Sequence, residues 1–236
     1  MAVNDPLLEG IIALHRSLAE SEPLPESLDR IARVAVGTVP GADLAGVTVL
    51  QDGEPVTVAY RGKEASELDD SQYEAGDGPC LHAFRVREVV RMDRIADDPR
   101  WPHFAEGAAS HGVQSSLSMP LIIDGQGIGA LNLYGRTPAA FVDAEEQAAT
   151  FAEQAAIVIK TALALLQTQE LVAQMEEALQ SRDVIGQAKG VLMAQQRITA
   201  EAAFTELRHA SNDRNRKLRD VAEEVASTGS LPGRDS

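Results

Sequence analysis

The chain has 236 residues, 44% of them apolar and 24% charged, with a formal net charge of -15. That composition excludes wholesale disorder and leaves room for two domains or one large one. A single cysteine, Cys80, excludes an internal disulfide and a cysteine-based zinc cluster. The N-terminal "MAVNDPLLEGIIALHRSLAE" lacks the basic region and apolar run of a signal peptide. No stretch of about 18 uninterrupted apolar residues marks a membrane span, so a cytoplasmic protein that does not contact a membrane is expected.

In chain order, apolar residues at 7, 8, 11, 12, 14 and 18 have helical spacing. After a Ser-Glu-Pro-Leu-Pro turn, "ESLDRIARVAVGTV" predicts a second helix with Ile31, Val34 and Ala35 on one face. "ADLAGVTVL" and "EPVTVAYRG" flank the turn-rich "QDGE" and predict a β-hairpin. A helix is expected around "KEASELDDSQYEAG", a short strand in "REVVRMDRI", a mobile loop at "ADDPRWPHF" and a helix at "AEGAASHG". Strands "SSLSMPLIID" and "GIGALNLYGR" flank "GQG". From Asp143 the pattern is helical to about Gln196. With no βαβ alternation, the fold class is α+β: an antiparallel sheet with helices packed on it, joined by a long helix to a small three-helix bundle.

The charge is uneven. Residues 182–236 carry nine Lys/Arg against eight Asp/Glu, while the rest carries 12 against 28. The near-neutral tail is therefore the better contact for a polyanion. Within it, "HASNDRNRKLRD" places Arg214, Arg216, Lys217 and Arg219 in six residues. Cations at a solvated helix end offer a structural alternative.

The words "GPCL", "RWP", "SMPL" and "GALNLY", in that order and spacing, make residues 7–165 resemble a GAF domain of the bacterial regulatory kind. That resemblance implies a sheet of five or six antiparallel strands, a small-ligand pocket on one face, and helices on the other that often dimerise. Tyr73, Pro79, Cys80, Trp101 and Ser116 are the pocket candidates, and an unidentified small molecule, with no known cofactor, is the expected ligand. Cys80 and His82 could pair as a thiol and a base; equally, Cys80 is a small buried hydrophobe at a helix start. Tyr73 and Trp101 are alternatively core residues. Three family activities fit poorly. Bilin attachment usually goes with adjacent Cys and His. Methionine sulfoxide reduction needs a resolving thiol. The Asn-Lys-Phe-Asp-Glu signature of cyclic-nucleotide GAF domains is not visible.

In the long helix Leu165, Val172, Leu179 and Gly186 recur every seven residues, with Thr168, Met175 and Arg182 between them. This imperfect heptad seam suggests a parallel two-stranded coiled coil and hence a homodimer; packing within one chain is the alternative.

Downstream, Thr199 is a good N-cap for a helix presenting Ala203, Phe204 and Leu207 inward. A third helix from about Lys217 presents Leu218, Val221, Ala222 and Val225. Ile185, Ala188, Leu192 and Met193 complete the core. "IGQAKGVLM", "AFTELRHAS" and "NRKLRDVAEEV" make residues 172–228 resemble an ANTAR domain, the RNA-binding output of bacterial antitermination regulators. The resemblance implies that two such domains bind paired stem-loops with hexanucleotide loops in nascent RNA and prevent terminator formation, under control of the GAF domain. The GAF-then-ANTAR order is similar to an actinobacterial arrangement. The domains are drawn at 1–165 (sensor), 166–185 (coiled-coil linker), 172–228 (RNA-binding, overlapping the linker) and 229–236 (disordered tail).

The RNA-binding candidates are Lys189, Arg208, Ser211, Arg214, Asn215, Arg216 and Lys217, drawn from three helices and one turn. Lys217 at a helix start opposes that helix's dipole, which favours a ligand role. Ser211 and Asn215 are alternatively caps, and His209 is a surface residue. With 4% aromatics and Phe204 assigned to the core, stacking platforms look absent. The other function considered is a ligand or redox sensor acting only through protein partners. An enzyme ranks last, with no Ser/His/Asp spacing, metal motif or phosphate loop.

Overall fold

The computed structural model describes residues 5–20, 22–51 and 54–231. The chain divides into two compact units, residues 1–166 and 167–236.

The first unit opens with α1 (Pro6–Ala19) and α2 (Leu24–Thr38). Asp5 caps α1 by accepting from the Leu7 N–H at 3.0 Å, and Pro6 supplies the preset φ of a first helical residue. Then come β1 (Leu44–Gln51), β2 (Glu54–Arg61), α3 (Lys63–Ala75), α4 (Pro79–Val86), β3 (Val90–Met92), a 3-10 turn (Ile95–Asp97) and α5 (Pro102–Ser110). β4 (Ser115–Ile123) and β5 (Gln126–Gly135) complete the sheet. The strand order is β2-β1-β5-β4-β3, antiparallel throughout. The expected mobile loop is instead pinned: Ile95, Trp101 and Phe104 are buried, and Pro102 starts α5 three residues before the expected helix.

Strand alternation separates the two faces of this sheet. Ala45, Val47, Leu117, Met119, Leu121, Leu131 and Leu133 form an apolar face with α2 and the first part of α6 (Glu145–Gln196). The opposite face carries Gly46, Thr48, Ser116, Ser118, Asn132 and Tyr134 beneath α3 and α4. By length and composition alone α6 could cross a membrane. Its Phe151, Ala155, Val158 and Ile159 are buried against the sheet, and 39% of its most apolar stretch lies buried in the fold.

The second unit holds the rest of α6, α7 (Ala200–Asp213) and α8 (Leu218–Thr228). Thr199 caps α7 by accepting from the Ala202 N–H at 3.2 Å. Ala188, Leu192, Ala203, Leu207, Val221, Ala222 and Val225 form its core, with Ile185 and Leu218 packed against it. Of the expected tail, Gly229 ends α8 in the left-handed region and Leu231 packs on the core, while 232–236 lie outside the described residues.

Candidate sensor face and nucleic-acid interface

The polar sheet face is organised around Asp69 of α3, which is wholly buried. Its Oδ1 accepts from Tyr134 Oη at 2.5 Å and from Asn132 Nδ2 at 2.8 Å, and its Oδ2 accepts from Thr57 Oγ1 at 3.1 Å. A β-bulge after Val47 sets Thr48 opposite Thr57 and so brings Thr57 to this face. Gly46 is required beneath the carboxylate, since a Cβ there would stand 2.2 Å from Asp69 Oδ2.

Proton directions follow from these bonds. With Asp69 ionised, Thr57 spends its one proton on it, so Tyr73 Oη donates to Thr57 (2.8 Å) and accepts from Thr48 (2.7 Å). Thr48 then accepts from the Cys80 thiol (3.5 Å) and from Asn132 Nδ2 (3.2 Å). The hydroxyls thus form one directed chain, Cys80 to Thr48 to Tyr73 to Thr57 to Asp69. Gln72 fixes α4 to α3 by accepting from the Cys80 N–H at 2.8 Å.

Among the described residues no cation is bonded to this cluster, and desolvation dominates its titration. Burial pushes the Asp69 carboxyl up to about 7 against the pull of its three donors. Burial, then the nearby Asp69, pushes the Cys80 thiol up to about 12. Tyr73 and Tyr134 are raised for the same reasons. Cys80 is thus wholly buried with its thiolate disfavoured, unlike the electropositive, partly exposed setting of reactive cysteines. His82 is exposed and lies against the Trp101 ring at 5.6 Å between centroids.

Of the pocket candidates, Tyr73 and Cys80 meet at Thr48, and Pro79 opens α4 beside them. Ser116 lies on the same sheet face. Trp101 belongs to an apolar cluster with Phe104, Met92 and Tyr134, with Arg100 4.4 Å over its ring. Sequence reasoning missed Asp69, Asn132, Thr48 and Thr57. A visible signal was the alternation of small or polar residues within apolar strands, as in "SSLSMPL" and "GALNLY". Three buried polar atoms on this face lack a hydrogen-bond partner: Ser116 Oγ, Ser118 Oγ and Asn132 Oδ1. Turning the Asn132 amide over would set its oxygen against Asp69, so that orientation is fixed.

In the second unit the turn between α7 and α8 is held at both ends. Ser211 Oγ donates to the Arg216 carbonyl at 2.6 Å, and the Arg216 N–H donates to the Ser211 carbonyl at 3.0 Å. Asn215 takes the left-handed conformation at φ 49°, which Asn tolerates better than most residues. Both act on the turn's shape. Arg216 pairs with Glu224 at 2.5 Å, and Arg219 with Glu223 at 2.9 Å and Glu177 at 3.7 Å. Arg208, Arg214 and Lys217 are exposed, Lys189 is half-buried, and none has an ion-pair partner among the described residues. Two core assignments are corrected. Phe204 is 37% exposed and Met193 38% exposed, because the buried stripes run one residue earlier, through Ala203 and Leu207 and through Ala188 and Leu192.

On α6 the seam residues Val172, Met175 and Leu179 are 49%, 59% and 60% exposed.

The architecture defines a sensor module followed by a small helical output module. The GAF domain family model matches residues 21–160 and the ANTAR domain model residues 173–225. The chain belongs to the GAF domain family and carries a C-terminal ANTAR domain. An ANTAR domain implies an RNA-binding antitermination regulator, and a GAF domain implies a sensor; both are regulatory rather than catalytic domains.

Among solved structures, the free methionine-R-sulfoxide reductase of Neisseria meningitidis, in complex with its substrate, is 18% identical. The match covers 69% of this chain and 94% of that one, with a TM-score of 0.52. The GAF domain of a Coxiella burnetii phosphoenolpyruvate-protein phosphotransferase is 20% identical, covering 67% and 95%, with a TM-score of 0.51. The corresponding Acinetobacter domain is 17% identical, covering 68% and 97%, with a TM-score of 0.50. At these identities the likeness is one of fold. No curated protein matches the chain.

Proposed function

We propose that the chain is a homodimeric antiterminator that binds RNA with paired hexanucleotide-loop hairpins and prevents a terminator from forming. Its activity is set by a small molecule at the polar face of the GAF sheet. The observation that carries the RNA reading is that Lys189 on α6, Arg208 on α7, and Arg214 and Lys217 in the turn before α8 have no ion-pair partner among the described residues of the ANTAR unit. These can hold phosphates, while Ser211, Asn215 and Arg216 set the shape of the turn.

The dimer reading rests on the exposed α6 seam: a helix of 52 residues that leaves Val172, Met175 and Leu179 exposed needs a partner for them. The sensor reading rests on the three unpartnered atoms beside Asp69. They suit a ligand that offers N–H or O–H donors and carries no phosphate or carboxylate, since no cation among the described residues is bonded at this face. A fully buried Cys80 argues against a redox signal.

An electrophoretic shift with a synthetic two-hairpin RNA tests the function. Tight binding is expected, with loss on scrambling the loops and a log–log salt slope of about -0.7 per phosphate contact. Equal binding to scrambled loops contradicts the reading.

A further inference from the structure

We infer that Phe204 is a base-stacking contact of the RNA site, with Arg208 beside it holding the backbone; this rests on the RNA-binding reading above. Phe204 is the sole aromatic residue from position 167 to the C-terminus. In so small a unit an aromatic side chain is the largest apolar group available for the core. The core is built without it, from Ala203, Leu207 and their partners, and Phe204 stays 37% exposed.

Helical spacing puts Phe204, Arg208 and Asn212 on one stripe at i, i+4 and i+8, and all three are exposed. That stripe leads along α7 to Arg214 and Lys217 in the turn. The one-turn neighbours of Phe204 on α7 are Ala200, Glu201, Leu207 and Arg208, so the cationic side is the one toward the turn, where Arg208, Arg214 and Lys217 have no ion-pair partner among the described residues and suit a polyanion. RNA loops supply unpaired bases, which are stacked on aromatic rings while cations hold the backbone. α6 repeats the pairing, with Met193, 38% exposed, one turn after Lys189.

The test uses the full chain, Phe204→Leu and Phe204→Tyr variants, and a synthetic two-hairpin RNA with 2-aminopurine at each loop position in turn. Leu keeps the apolar packing and removes the ring face; Tyr keeps the ring. Phe204→Leu is expected to weaken binding roughly 5- to 150-fold and Phe204→Tyr to stay near wild type. Neither changes the salt slope, because no phosphate contact is lost. Wild type should quench 2-aminopurine at one loop position at least, and Phe204→Leu should abolish that quenching. Wild-type affinity in Phe204→Leu, or a loss accompanied by altered helix content or oligomeric state, overturns the inference and assigns Phe204 to packing or to a protein contact. If wild type itself fails to distinguish intact from scrambled loops, the RNA reading fails. If wild type distinguishes them and Phe204→Leu does too with equal affinity, this inference alone fails.

Discussion

Asp69 is a buried acid with three donors and no cation, and its raised titration has a definite sign. Between about pH 4 and 7 the folded chain keeps a proton that the unfolded chain, with an ordinary aspartate near 3.9, has released. Stability from this group is therefore present at low pH and lost as pH rises toward 7, by on the order of 4 kcal/mol. Glu64 is lowered first by a backbone N–H and then by Arg136, Glu67 by Lys63 and Asp98 by Arg100; all three act with the opposite sign, so the test is a difference. Asn at position 69 mimics the protonated acid: its oxygen accepts from Tyr134 and Asn132, and its amide donates to Thr57. Denaturant unfolding from pH 4 to 8 should show Asp69→Asn gaining on wild type as pH rises, and parallel curves contradict the assignment. The sequence pointed to Pro79, Cys80 and Trp101 through the words "GPCL" and "RWP". Asp69 was hidden in an acidic helix, "SELDDSQ", where nothing local separates a buried carboxylate from the exposed Asp70 beside it.

At the scale of elements, caps and breakers were the most legible features: Thr199 opens α7, and α6 ends at Gln196 as its pattern does. Periodicity marks which stripe is apolar but not how wide the buried part is. In a three-helix unit with a narrow core, Phe204 and Met193 fall just outside it. Ion pairing was equally hidden. "RNRK" reads as uniform charge, yet Arg216 is neutralised by Glu224 nearly two turns into α8, while Arg214 and Lys217 have no ion-pair partner among the described residues. Lys217→Ala should weaken RNA binding and make the salt slope shallower by about 0.7. Glu224→Gln frees Arg216 and should tighten binding a few-fold. Filter-binding titrations across a salt series check both, and tighter binding by Lys217→Ala or no change in Glu224→Gln contradicts the account.

At the scale of the whole molecule, a net charge of -15 disfavours unspecific contact with nucleic acid, which suits the proposed contact through the ANTAR cations. The exposed α6 seam predicts that Leu179→Glu converts a dimer to a monomer in sedimentation equilibrium and loosens two-hairpin RNA more than a single hairpin, because two linked sites gain from effective concentration. A dimer that persists in Leu179→Glu moves the interface elsewhere. The central claim, that this chain acts on transcription through RNA, is tested most directly by single-round transcription of a template encoding two hexanucleotide-loop hairpins before a terminator. The protein should raise readthrough on that template and leave it unchanged when the loops are scrambled; equal readthrough with and without the protein contradicts the account.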